Sequence, residues 1–143
     1  MVSSGAQWIY TARVCYGGMY DQGTVFEFTP AAAGSWTESI LHNFASNPDG
    51  AEPYYGNLIL DAGGNLYGTT EQGGASGNGT AFELVPGAGG IWTETVLHSF
   101  NDNGADGYNP LGALVRDGEG NLYGTTELVG GTYNGGIVFE IKP

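Results

Sequence analysis

Residues 65–71 read NLYGTTE, and the same seven letters return at residues 121–127, an offset of 56 (121 − 65). Seven consecutive identities at one separation mark an internal repeat, and a repeat of this length changes the fold class against which the rest of the chain is read. Working outward, WTESILHNF (36–44) returns as WTETVLHSF (92–100), again at 56. GTVFEF (23–28) returns as GTAFEL (79–84) and then as GIVFEI (136–141), at offsets of 56 and 57. The linkers follow with a one-residue adjustment, since Asp49-Gly50 and Pro53 match Asp106-Gly107 and Pro110 at an offset of 57. Near the start, Ile9-Tyr10 followed by Gly17-Gly18 is similar to Leu66-Tyr67 followed by Gly73-Gly74.

One unit holds four strand-like runs divided by turn chemistry. Residues 57–60 end in Asp61-Ala62-Gly63-Gly64-Asn65, where Asp and Asn make Asx turns and the glycines accept positive φ. The second run, 66–70, is bounded by the glycine-rich stretch 73–79; the third, 80–85, is stopped by Pro86, which donates nothing to a ladder. The fourth, 92–100, is rich in Thr, Val and aromatic residues. Spacers this short permit hairpins alone, so each unit is predicted to be an antiparallel four-stranded meander. Strand alternation puts Phe82 and Leu84 on one face and Glu83 on the other, and places Trp92, Val96, His98 and Phe100 together on one face of the fourth run.

Such a sheet cannot bury an apolar face alone, whereas repetition lets each sheet cover its neighbour, as in propellers and related arrays. The expected fold class is therefore all-β, a β-propeller-type array of antiparallel four-stranded blades, with about two and a half repeats in a single repeat domain. The units are a partial blade at 8–44, a full blade at 57–100 and a partial blade at 112–143. Closed propellers typically need 4 to 8 blades. Incomplete terminal units leave blade faces and strand edges open, which predicts association with copies of itself, as a homo-oligomer or filament, or with further repeats of a longer chain.

Composition narrows the partners. Acids outnumber bases 15 to 3, for a net charge of −12, so no basic stripe exists to neutralise phosphates, and nucleic acid and anionic membrane are poor partners on electrostatic grounds. Glycine supplies 27 of 143 residues without a Gly-X-Y period, which reads as many tight turns. The single cysteine, Cys15, cannot form an intrachain disulfide and is expected to be a small buried apolar side chain. No run approaches the ~20 apolar residues of a membrane span, and MVSSGAQW at the start has neither the basic nor the apolar region of a secretion signal.

The segments GTVFE, WTETVLHSF, the recurring DG and NP dipeptides and ALVRDGEGNLYGTT resemble the Gloeo-Verruco (GloVer) tandem-repeat family over nearly the whole chain after about residue 8. The resemblance implies a large bacterial protein, extracellular or at the cell surface, often with a C-terminal sorting anchor, and offers no catalytic residues to carry over. Residues 112–126 also resemble the first two strands of NHL-type propeller blades. The chain departs from the family pattern at 8–16, where Arg13, Val14 and Cys15 replace a Thr/Gly-rich strand.

Candidate chemistry is weighed against the repeat itself. An active site needs a unique constellation, while the conspicuous polar residues here recur at equivalent places, so the chain is read as non-enzymatic, with no catalytic residues. His42 and His98, the two histidines, follow Glu38 and Glu94 by four residues, a separation of ~13 Å along a strand, so they are read as structural. Glu27, Glu83 and Glu140 recur in the third run and are read as hydrogen-bonding or solvating groups. Trp36, Trp92, Asp61, Asp117, Tyr67 and Tyr123 are the structural repeat positions, the aromatic ones expected in core packing. No cofactor is expected. The loop NDNGADG (101–107) offers Asp102 and Asp106 as oxygen ligands for calcium but lacks EF-hand spacing. Tyr54, Tyr55, Tyr108 and Tyr133 fall in loops and are the candidate ligand contacts. The sequence is thus read as a scaffold or self-assembling structural element, with a lectin-like, glycan-binding module as the alternative.

Overall fold

A computed structural model describes residues 8–12, 17–129 and 135–143. The chain is all-β, and every pairing between its named strands is antiparallel. The first sheet has the order β1 (Trp8–Ala12), β2 (Thr24–Pro30), β3 (Trp36–Asn43). A pair of two-residue strands, β4 (Gly50–Ala51) and β7 (Gln72–Gly73), ties the linker to the second repeat. The central sheet holds β5 (Ile59–Leu60), β6 (Leu66–Thr70), β8 (Thr80–Pro86) and β9 (Trp92–Ser99), in that order. The third contains β10 (Val115–Arg116), β11 (Leu122–Thr125) and β12 (Val138–Ile141). The hairpin meander expected from short spacers is what sets these orders. The first run is shorter than read from sequence: Leu58 lies outside β5 yet packs into a core.

Among the described residues, two apolar cores are each shared between neighbouring sheets. Val25, Leu41 and Phe44 of the first repeat meet Leu66, Phe82 and Leu84 of the second, with Leu58 and Trp92 packed against them. Tyr67, Ile59 and Leu97 of the second repeat then meet Leu114, Leu122, Phe139 and Ile141 of the third. The second set largely repeats the first one period on: Leu41 becomes Leu97, Leu58 becomes Leu114, Leu66 becomes Leu122, Phe82 becomes Phe139 and Leu84 becomes Ile141. The central sheet is therefore buried on both faces, with Phe82 and Leu84 toward the first repeat and Glu83 on the opposite face with Tyr67.

The face expected for the fourth run is corrected by a β-bulge. Phe82 pairs with Val96, but Ala81 pairs with His98, so Leu97 is an extra residue and the alternation slips by one. Trp92, Glu94 and Val96 lie on the face of Phe82 and Leu84, while His98 crosses to the face of Ala81. The first repeat slips at the equivalent place, between Val25 and Phe26, opposite Leu41. Without this slip His98 would share the face of Phe82 and Leu84.

Candidate functional site

The groups richest in chemistry lie in the turns and along the seams between repeats. In the turn before β6, Asp61 Oδ1 accepts the backbone N–H of Gly63 (2.8 Å) and Asn65 (2.9 Å). Its Oδ2 accepts Asn65 Nδ2 (3.2 Å) and the Tyr67 hydroxyl (3.2 Å), and the same hydroxyl reaches Glu83 Oε1 at 2.8 Å. The turn before β11 reproduces the set: Asp117 accepts from Glu119 N, Asn121 N, Asn121 Nδ2 and Tyr123 Oη, and Tyr123 reaches Glu140 Oε1 at 3.0 Å. One phenolic proton thus stands between two carboxylates in each of these two repeats.

The electrostatics follow from those bonds. Desolvation pushes Asp61 up, but the donors from Asn65, Gly63 and Tyr67 together hold it below the ordinary aspartate value. The Asn121 side chain leads the donors that bring Asp117 to about 2. Burial, then the bond to Glu83, raises Tyr67 to about 12; the bond to Glu140, then burial, does the same for Tyr123. Arg116, from the third repeat, places its guanidinium 5.9 Å from the Tyr67 ring centroid.

Each histidine pairs with the aspartate of the loop that follows its strand. His42 Nε2 meets Asp49 Oδ2 at 3.0 Å, and His98 Nε2 meets Asp106 Oδ1 at 2.8 Å. Each imidazole also stands edge-on to the phenylalanine two residues on, His42 to Phe44 at 4.8 Å and His98 to Phe100 at 4.6 Å. The glutamates four residues upstream are not their strand partners. Glu94 instead lies under the first repeat, where Asp49 and His42 are the charges acting on it. The side chain is half-buried, and its Oε1 is fully buried without a hydrogen-bond partner.

The linkers bond to the repeats on both sides. Glu52 N donates to Gln22 O (2.9 Å) while Glu71 N donates to Glu52 O (3.0 Å); one repeat later, Asn109 N donates to Asn78 O and Glu127 N to Asn109 O, each at 3.0 Å. Glu71 is raised by burial first and then by the nearby Glu52 and Glu127 carboxylates. Thr69 Oγ1 donates across the second seam to Gly112 O at 3.3 Å.

The residues singled out from sequence are distributed unevenly over this frame. Tyr67 is buried, Trp92 and Tyr123 are half-buried, and Trp36 is 52 % exposed instead of packed, because no described sheet covers the outer face of the first one. Tyr54 and Tyr55 stack on each other, with ring centroids 5.2 Å apart at 19° and Tyr55 exposed. Tyr108 is half-buried, and its backbone pairs with Leu128. Tyr133, Arg13, Val14 and Cys15 lie outside the described residues. Both Asp106 oxygens are engaged, Oδ1 with His98 and Oδ2 by Asn101 N (3.1 Å) and Asn101 Nδ2 (2.8 Å), while Asp102 stands exposed. Among the described residues, no three His, Cys, Asp or Glu side chains are placed to hold a metal ion. Sequence reasoning missed Asp49 and Asp106 as histidine partners, although each recurs shortly after its histidine, and it missed Glu94 as a seam residue.

Neither a curated protein nor a solved structure matches the chain. A model of the Gloeobacter/Verrucomicrobia repeat matches residues 3–143, and the chain belongs to that repeat family.

Proposed function

We propose that the protein is a non-enzymatic, extracellular scaffold or self-assembling element whose sheets act as blades of a propeller-type array. The observation that carries this reading is the equivalence of the two seams. Phe44 meets Phe82 at 5.2 Å and Phe100 meets Phe139 at 4.9 Å, residues one period apart doing the same work between successive sheets. The outer faces support it further. On the first sheet, Trp36 and Ile40 are exposed at positions whose counterparts, Trp92 and Val96, are half-buried. On the third, Val138 is 76 % exposed where its counterpart Ala81 is 0 % exposed. Apolar residues at seam positions favour a further repeat as their cover, from the same polypeptide or another copy.

Light scattering over a concentration series, with electron microscopy of the same samples, tests this. Closed rings or filaments are the expected result, and a stable, cooperatively folded monomer at all concentrations would sink the self-assembly reading. The stacked Tyr54–Tyr55 pair favours a second reading, a lectin-like module, since exposed aromatic platforms suit sugar rings. A glycan array on the parent, Tyr54→Ala and Tyr108→Ala proteins separates the two: sugar binding lost in the variants supports the lectin, and no binding to any sugar removes it.

A further inference from the structure

We propose that His42, Asp49 and Glu94 form a proton-responsive clasp across the first seam, in which one proton taken up by Glu94 tightens the packing of the second repeat on the first. The proposal stands on where Glu94 sits. Its strand partner is Leu84, and its neighbours on the same face are Trp92 and Val96, so the carboxyl is carried on the apolar face that builds the first core. Burying an ionised carboxylate there without a donor is costly, whereas a neutral carboxyl needs far less. Oε1 is in that position, fully enclosed and unpartnered.

The facing repeat donates no hydrogen bond to Glu94 Oε1. The charged groups that act on Glu94 are the Asp49 carboxylate, which repels its anion, and His42, which attracts it when protonated; on its own strand the flanking Trp92 and Val96 carry no charge. Asp49 and His42 are already committed to each other at 3.0 Å. Burial first, then Asp49, push the Glu94 carboxyl up to about 7 against the pull of His42. Glu38, the counterpart one repeat earlier, is exposed, so it is coverage by a neighbouring repeat that creates this environment.

A carboxyl raised in the folded state adds stability that is complete below its unfolded value near 4.5 and is lost as pH climbs to about 7. The seam therefore tightens on mild acidification. The test is a carboxyl-carbon NMR titration of Glu94 in the full chain, with pH-dependent unfolding of the parent, Glu94→Gln and Glu38→Gln proteins. Glu94 is expected to titrate near 7. Across that window the folding constant of the parent should fall by up to tenfold per pH unit relative to Glu94→Gln, which mimics the protonated clasp, while Glu38→Gln keeps the parental slope. Titration of Glu94 in the ordinary range of about 4 to 5, or a parental slope retained in Glu94→Gln, overturns the clasp.

Discussion

Phe44 stands edge-on to Phe82 across the first seam, their ring centroids 5.2 Å apart at 68°. The pair joins the end of one repeat to the third strand of the next, and both rings are fully buried. Edge-to-face aromatic contact adds to the area each ring removes from water. In a linear array such contacts are the nearest-neighbour terms that couple one unit to the next.

Phe44→Ala is accordingly expected to cost about 3–5 kcal/mol, the range for emptying a buried phenylalanine site. It should also uncouple the first repeat, so that denaturant unfolding splits into two transitions. Phe100→Ala, which empties the same position against Phe139, should behave likewise at the second seam. A single transition with an unchanged midpoint in either variant would contradict the seam assignment.

The Tyr67 hydroxyl links the turn carboxylate Asp61 to Glu83 on β8. Because its value is raised to about 12, the stability it contributes is present below the unfolded tyrosine value near 10 and is lost as pH rises from there to about 12. Tyr67→Phe keeps the ring in the second core and removes the hydroxyl alone, with an expected loss of about 1 kcal/mol at neutral pH. In a spectrophotometric titration of phenolate, the parent should show late-ionising tyrosines, and Tyr67→Phe one fewer of them.

The period, the turn chemistry and the hairpin order were legible because they depend on local letters. Asp61-Ala62-Gly63-Gly64-Asn65 can do little except turn, and its return as Asp117-Gly118-Glu119-Gly120-Asn121 discloses the repeat. The slip at Leu97 was not legible, since both parities of 92–100 carry apolar residues and a bulge leaves no letter of its own. Glu94 was read against His98 within one strand, when its environment is made by Asp49 and His42 of the preceding repeat. That environment is decided by stacking, which no local pattern encodes. Trp36 illustrates the converse: an aromatic at a core position of the repeat stays exposed where no described sheet lies over it.

Asp61 and Asp117 should shape the acid limb of the stability curve. Both are held below the ordinary aspartate value, so the stability they contribute is present above about 4 and is lost as pH falls through their folded values, about 2 for Asp117. Asp61→Asn/Asp117→Asn is expected to flatten the loss of stability between about pH 4 and 2, at the cost of a lower midpoint at neutral pH. Unfolding midpoints across that range check it, and an acid limb as steep as the parent's would place the responsible groups elsewhere.

Gly73 gives the sharpest test of how the linker is pinned. It pairs with Gly50 in the β4–β7 ladder at φ +80°, and a Cβ there would come within 2.6 Å of Ala51 N, Gly50 C and Ser46 O. These are backbone atoms, which cannot turn aside as a side chain would. Gly77 has nearly the same φ, +79°, but nothing lies within 4 Å of a Cβ there. Alanine at both positions meets the same left-handed strain, about 1 kcal/mol, while at Gly73 alone it must also push the linker off the second repeat. Gly77→Ala is therefore expected to lose about 1 kcal/mol, and Gly73→Ala about 1–3 kcal/mol more, by the overpacking penalty of a tight site. Hydrogen exchange should show the backbone bonds from Gly74 N to Ser46 O and from Glu71 N to Glu52 O opening in Gly73→Ala alone. Equal losses in the two variants would mean that conformation, and not contact with the linker, is what demands glycine at Gly73.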